Sequence, residues 1–401
     1  MTKTTPHNAP LESRERKRDR RRSFTIFFSI VFSVYSLINW YIFSRIDQAI
    51  PESSWLTGIF APLFVFIALS YLAGQFLEHR SSSFISDVLT WIGAFWLGLI
   101  AWLIPVFILI DLVRFADSFL HFWQFGNLHG LKMTQWIMTD TVIVVFISIF
   151  LGFLNARNIR VKPIPIHIDK PNAKPLRIAA ISDMHMGSLI RRRMVHQMVR
   201  KINSIKPDLV LMLGDQMDGN PHPVMQLDLG AELKKIESKY GVFAITGNHE
   251  YIGHAETSCA YLEAHGIKMI RDKVVEVAGL ILVGREDSAS KQFAKVERKP
   301  LSELVEGLDR SKPIILMDHT PFHLEEAEQN GIDLQLSGHT HHAQIWPWNY
   351  ITQRIYEMSW GYYRKGKTQY YVSCGSGTWG PPIRIGNSPE IMDITLTFEG
   401  T

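Results

Sequence analysis

Apolar residues follow two patterns that divide the chain near residue 156. Before that point they run in unbroken blocks at 23–43, 57–77, 88–110 and 136–154, separated by polar segments around 47–52, 78–87 and 111–132. At about 1.5 Å of rise per helical residue, blocks of this length cover roughly 30 Å of hydrocarbon. They predict about four membrane-spanning helices, because several long, nearly uncharged stretches seldom occur together in a soluble core. Asp140 is the acidic intruder, close enough to the start of its block for an interfacial position to account for it. The segment 115–128, where Phe, Leu and Trp alternate with Asp117, His121 and Gln124, reads as lying along the interface. If it crossed instead, everything after it would change sides.

After residue 156 the pattern changes. Pro163, Pro165, Pro171 and Pro175 forbid a continuous helix through 157–175, and Val161, Ile164, Ile166 and Ile168 fit only an edge strand there. Short apolar runs then predict buried strands at 177–182, 209–213, 242–246, 280–284, 314–317 and 334–337. Helical stretches at 191–205, 229–240, 255–265, 301–307 and 324–331 lie between some of them, which makes this half α/β. The predicted organisation is a basic tail (1–22), a transmembrane domain (23–156), a linker with an edge strand (157–175) and an α/β domain (176–401).

Charge refines this picture. The net +4 is too small to imply nucleic acid, and the excess sits in residues 1–22, with 8 Lys/Arg against 3 Asp/Glu; residues 157–401 carry 30 against 28. Basic residues thus flank the first block and follow the last, so both chain ends are expected in the cytoplasm of a bacterial cell. Arg21-Arg22-Ser23-Phe24 also resembles a twin-arginine export signal, though the same arginines satisfy the positive-inside distribution. The 46% apolar content excludes a disordered protein. Two cysteines, Cys259 and Cys374, make neither a disulfide framework nor a thiolate zinc site, so a metal would bind through His and carboxylates.

Five predicted strands run directly into such residues. The clusters are Asp183-Met184-His185, Gly214-Asp215-Gln216-Met217-Asp218-Gly219, Gly247-Asn248-His249-Glu250, Asp318-His319 and Gly338-His339-Thr340-His341, and 12 of the 16 His lie after residue 156. Ligands at the carboxyl ends of strands mark an open α/β site, and a Gly before three of the clusters lets the backbone turn sharply. Two divalent cations about 3.5–4 Å apart must share an anionic bridge, which a carboxylate can supply and an imidazole cannot. Mixed nitrogen and oxygen donors suit Mn, Fe or Zn better than Ca or Mg.

In this order the clusters resemble the calcineurin-like metallophosphoesterase superfamily, whose pattern is D-x-H, G-D-x-x-D, G-N-H-[DE], H and G-H-x-H. The match runs over roughly residues 159–396. It is closest to the bacterial YkuE and YaeI branch, and the front end is similar to transmembrane proteins with a metallophosphoesterase domain. Ser373-Cys374-Gly375-Ser376-Gly377-Thr378-Trp379-Gly380, followed by Pro381-Pro382-Ile383-Arg384, is a further branch-like feature. The resemblance implies a four-layer αββα sandwich with two divalent ions, Mn foremost with Fe or Zn as alternatives. One ion would be held by Asp183, His185, Asp215 and His341, the other by Asp215, Asn248, His319 and His339, with Asp215 bridging. It further implies in-line attack on phosphorus by a hydroxide shared between the ions. His249 would touch the phosphoryl group or protonate the leaving oxygen, with Asp218 orienting its ring.

Three departures limit the carry-over. Gly219 stands where Ser/Thr protein phosphatases have Arg, which argues against that identity. His342-Ala343 replaces the usual small residues, so His342 either adds bulk to the rim or faces solvent. Asp318 either partners His319 or ends a strand. Arg384 and Trp379 are candidates for substrate binding, or alternatively close the fold.

The expected function is a multi-pass, membrane-anchored phosphoesterase acting on a phosphodiester or pyrophosphate in a lipid or envelope precursor. Its partners would be the bilayer and a phosphate ester, with no nucleic acid. A scaffold or receptor built around a structural metal cage is the alternative, but it would have no use for His249 and Asp218. A transporter would need more intramembrane polar residues than Asp140.

Overall fold

The computed structural model describes residues 9–50, 55–80, 83–123, 128–170 and 174–399. Helices α1 (Ala9–Asp47), α2 (Leu56–Arg80), α3 (Phe84–Leu120) and α4 (Leu131–Ala156) come first. Among the described residues three helices are long and apolar enough to cross a membrane: Thr57–Arg80, Phe84–Leu120 and Leu131–Ala156. That corrects the expected four. The first predicted block is helical within α1, but residues 1–8 and the side chains of 9–24, Arg21 and Arg22 included, lie outside the described residues. Of the segment 115–128, residues up to Leu120 continue α3 without a break, and residues 124–127 lie outside the described residues.

The chain forms two compact units, one of Met1–Ala68 with Leu99–Val145 and the other of Leu69–Gly98 with Phe146–Thr401. In the first, Asp111 of α3 accepts from Tyr41 (2.7 Å) and Arg45 (2.6 Å) of α1, and Tyr35 donates to the Ala68 carbonyl at 2.6 Å. Phe43, Phe60 and Phe64 pack ring against ring. Large apolar side chains such as Val65, Phe66, Ile143 and Val144 remain exposed along these helices. Helices apolar on all sides suit an apolar solvent.

The second unit carries two six-stranded sheets. The first orders β1 (Arg160–Ile168), β12 (Glu390–Phe398), β2 (Leu176–Ile181), β3 (Leu209–Leu213), β4 (Val242–Ile245) and β5 (Ile267–Met269). The second orders β10 (Gly361–Lys365), β11 (Thr368–Val372), β9 (Leu334–Ser337), β8 (Ile314–Met317), β7 (Leu280–Gly284) and β6 (Lys273–Val277). Strands β2 to β5 run parallel in the first sheet, as do β7, β8, β9 and β11 in the second. The proline-bearing β1 is an edge strand, parallel to β12, where missing N–H donors do least harm.

Alternation along the strands builds the layers. Ile178, Leu211 and Phe243 of the first sheet meet Leu282, Ile315 and Leu336 of the second in a shared core. The opposite faces point outward. Ala179, Val210 and Met212 pack on Met194, Val195, Met198 and Ile202 of α5 (Arg192–Ile205), and Ile281, Val283 and Leu316 pack on Leu301, Leu304 and Leu324. Strands buried on both faces read as continuous apolar runs, and the result is the expected αββα sandwich. The predicted helix at 229–240 shrinks to Gly230–Leu233. Asn203 of α5 captures the following backbone, donating to the Lys235 carbonyl at 2.8 Å and accepting from the Glu237 N–H at 3.0 Å.

Candidate metal centre

Adjacent parallel strands end side by side, so their following residues converge. Asp183 and His185 follow β2, Asp215 and Asp218 follow β3, and Asn248 and His249 follow β4. From the other sheet come His319 after β8 and His339 and His341 after β9. Asp183, His185, Asp215, His339 and His341 all take positive φ, between 47° and 70°. Non-glycine residues held there cost about 1–3 kcal/mol each and persist where surrounding structure over-determines them. The glycines preceding the clusters are not all turn residues. Gly214 has φ +93°, whereas at Gly247 and Gly338 a side chain would overlap Asp215 in one case and Ser182 and Asp183 in the other. For these two, close approach is the reason, not a sharp turn.

Three groups of donor atoms lie within 4.8 Å of one another: Asp183, His185 and His341; His185, Asp215 and His249; and Asp215, His319 and His339. Asn248 joins the last through its Oδ1, 2.8 Å from His339 Nδ1. Asp215 belongs to two groups, the place a bridge requires. His185 and His341 turn Nε2 atoms towards each other at 3.0 Å, and His341 Nε2 is 3.5 Å from Asp183 Oδ1. His319 Nδ1 donates to the Leu213 carbonyl at 2.7 Å, which fixes Nε2 as the free ring atom; that atom is buried with no hydrogen-bond partner, 3.2 Å from Asp215 Oδ2. Buried lone pairs aimed at a common point, without a donor, fit a cation.

His249 sits beside this cluster. Its ring meets that of His185 edge to face at 4.6 Å and that of Trp379 at 6.0 Å, and its Nδ1 is 3.3 Å from Asp218 Oδ1. Asp218 lies equally close, 3.3 Å, to His185 Nδ1, so one carboxylate faces both rings. Burial pushes the His249 imidazole down, but Asp218 and Asp215 outweigh it and raise its pKa to about 9. Burial raises the Asp218 carboxyl, yet the two imidazoles hold it well below the usual range. Asp215 behaves alike: burial opposes its charge, and His319, His249 and His185 keep it ionised. For His341 burial, then the His185 and Arg384 charges, depress the pKa, leaving a neutral ring as a ligand must be.

Glu250 has a role that the sequence did not assign. Fully buried, it accepts from the Asp215 (3.0 Å), Gly247 (2.8 Å) and Met217 (3.0 Å) N–H groups and so fixes two ligand loops together. The signal was present as the acid closing the Gly247–Glu250 block. Burial and the Asp215 charge raise its carboxyl to about 7.

A cavity of about 390 Å³ opens over the cluster, lined by His185, Asp215, His249, His339, Gln344 and Trp379 among others. Trp379 is 57% exposed at its rim. Arg384 is not there. It is fully buried, donating to the carbonyls of Gly377 (2.7 Å) and Gly375 (3.3 Å) and to Asn387 Oδ1 (2.9 Å), with Nη2 3.2 Å from His341 Nδ1. The geometry gives Arg384 to closing the fold behind His341, because none of its nitrogens is left for a substrate. His342 contacts Ser359 Oγ at 2.9 Å and packs on Trp360. Asp318 pairs with Arg285 (3.1 Å) and Arg298 (3.2 Å) instead of His319.

The model of the calcineurin-like phosphoesterase family matches residues 176–343. A metallophosphoesterase of Aquifex aeolicus is 32% identical over 264 residues, covering 64% of this chain and all of its own. The chain belongs to the calcineurin-like phosphoesterases. A Campylobacter jejuni metallophosphoesterase is 28% identical over 388 residues, covering 93% of this phosphoesterase and 98% of its own chain. The bovine transmembrane protein with metallophosphoesterase domain is 28% identical over 296 residues, covering 68% of this chain; the match spans 66% of its length, and 64% of that of a Helicobacter pylori relative 34% identical over 242 residues. The phosphoesterase is thus a membrane protein and a metal-dependent phosphoric ester hydrolase, and its donor set suits two divalent ions.

Proposed function

We propose that this phosphoesterase cleaves a phosphodiester or pyrophosphate bond in an amphiphilic, lipid-linked substrate at the membrane, with Asp183, His185, Asp215 and His341 holding one cation and Asp215, Asn248, His319 and His339 the other. The observation that carries this reading is the sharing of Asp215 by two donor groups beneath a cavity walled by His249 and Trp379. Two cations there would supply Lewis acidity towards phosphoryl oxygens and a water acidic enough to attack at neutral pH. His249, protonated, donates to the leaving oxygen, and Asp218 holds its ring for that transfer. The His249 backbone N–H donates to Asp215 Oδ1 at 2.9 Å, which ties the loop carrying the acid to the bridge.

The rim supports an amphiphile. The helix Asn349–Ile355 buries none of its residues, and Tyr350 (59%), Ile351 (50%) and Ile355 (57%) stand exposed on it, while its Thr352 lines the cavity. Exposed apolar groups gathered beside a polar site accommodate a hydrocarbon portion. The basic segments flanking the helices support a cytoplasmic site in a bacterial membrane, which a reporter fused to the C-terminus would check. Manganese heads the expected metals, with iron or zinc next.

The test is hydrolysis by the full chain in lipid, with manganese, of a chromogenic phosphodiester, a chromogenic monoester and a pyrophosphate-linked lipid. The expected order puts the lipid pyrophosphate or the diester above the monoester, with His249→Gln slower by about 10²–10⁴. Preference for the monoester would overturn the substrate class. Equal rates for His249→Gln and wild type would remove the general acid, and no turnover of any of the three substrates by metal-loaded wild type would favour the scaffold.

A further inference from the structure

A second cavity, of about 1090 Å³, is lined by none of the metal-cluster residues. Its walls include Trp91 of α3, Arg157 immediately after α4, and Arg193, Gln197, Arg200 and Lys201 of α5. The α5 residues recur at intervals of three or four and therefore form one stripe, opposite the face that buries Met194, Val195, Met198 and Ile202. Among the described residues, Arg157, Arg193, Arg200 and Lys201 have no carboxylate within ion-pair distance. Their neighbours do: Arg191 pairs with Asp87 at 2.5 Å, and Arg192 with Glu232 at 3.8 Å. Arg191 also lines the cavity but is already engaged by Asp87, which leaves Arg157, Arg193, Arg200 and Lys201 as the cations there open to an anion.

Arg157 is held in place, its guanidinium 3.6 Å over the Phe153 ring and 5.7 Å from that of Trp91. Burial, and then the nearby Arg193 charge, lower its pKa. Two walls come from membrane helices: Trp91 lies eight positions into α3, and Arg157 follows the last residue of α4. Trp and Arg at the ends of apolar helices sit at headgroup level. An anion in this cavity would meet bilayer on one side and the α5 cations on the other.

We propose that this cavity seats the phosphate headgroup of an anionic membrane lipid, with Arg193, Arg200 and Lys201 facing the phosphate and Trp91 and Arg157 at the glycerol level. The proposal is independent of the hydrolytic reading, because it concerns a resident lipid and not the substrate. Anionic lipid recognition gains about 1 kcal/mol per basic residue near the surface, so neutralising two of them predicts a loss of affinity of about tenfold or more.

The experiment is native mass spectrometry of the full chain in detergent, titrated with phosphatidylglycerol or phosphatidylcholine. Wild type is expected to retain phosphatidylglycerol about tenfold better, and Arg193→Gln/Arg200→Gln to lose that preference. Both side chains are exposed, so the fold should survive, and an unchanged melting temperature checks it. Arg192→Gln, which removes a cation paired elsewhere, should keep the preference. Equal retention of the two lipids by wild type overturns the proposal without any variant. So does a double variant that binds like wild type. Displacement of phosphatidylglycerol by an equal concentration of inorganic phosphate would assign the cavity to free phosphate and overturn the lipid as occupant.

Discussion

Most of the proposed ligands sit on a bent backbone, and after His341 the bend continues through His342, Ala343 and Gln344. Five of the residues assigned to the cations hold left-handed φ, a cost accepted where geometry must be fixed before the cation arrives. Residue identity decides the pH behaviour. Because His249 is raised to about 9, it stays protonated across the neutral range, and the acid role proposed for it fails only as pH climbs through that value; bound cations, repelling the imidazolium, bring the limb somewhat lower. In Asp218→Asn the main attraction is gone and burial, which disfavours the charged ring, takes over. The alkaline limb of kcat should then move down by about one pH unit or more, and an unmoved limb would take Asp218 out of this role. At Glu250 a conservative change should be costly. Glu250→Gln keeps the shape but sets an amide NH₂ against backbone donors, leaving a buried N–H unpaired for about 1–3 kcal/mol. Thermal unfolding with and without manganese should show a lower melting temperature and weaker metal stabilisation; a variant that matches wild type in both would contradict the account. Asp218 was legible because its block places it, whereas the work of Glu250 was not, since three backbone donors leave no mark in a sequence.

Among elements, the membrane helices reach the ligand loops. Within the second unit, Glu78 of α2 accepts from Ser188 (2.7 Å) and Asp87 of α3 pairs with Arg191, both in the loop that carries Asp183 and His185. Asn155 of α4 donates to the Arg384 (3.0 Å) and Asn387 (2.7 Å) carbonyls and accepts from Ser388 (2.9 Å), and Arg384 and Asn387 in turn contact His341. These helices hold up the metal centre as well as anchoring it. Asn155→Ala should therefore weaken manganese activation about 10–100-fold, as loss of a ligand's support does, while the protein remains folded; manganese titration of activity measures it, and an unchanged half-saturation would deny the link. None of this was readable in advance, because the partners are far apart in the chain, 110 positions for Glu78 and Ser188 and 229–233 for those of Asn155. The strands that present ligands were readable, since β2, β3, β4, β8 and β9 are nearly or fully buried runs. By contrast β6 and β10 mix Lys, Arg and Glu with apolar residues at sheet edges and gave no clear apolar run. The helix at 229–240 misled because Asn203, from another helix, decides where it stops.

For the whole molecule, the order of the five clusters made the phosphoesterase fold and its metal centre legible, since each cluster follows a buried strand and those strands end side by side. Two members of the run Arg191-Arg192-Arg193 line the second cavity, Arg191 paired with Asp87 and Arg193 with no carboxylate among the described residues, while Arg192 turns to Glu232. The central claim is that the whole chain houses two divalent ions bridged by Asp215 and needs both for hydrolysis. The most direct measurement is elemental analysis of the full-length protein after manganese loading and desalting, beside turnover of a chromogenic phosphodiester, for wild type and Asp215→Asn. The account predicts two ions per wild-type chain, at most one in the variant, and turnover lost with the second ion. Two ions in the variant with undiminished turnover would contradict it.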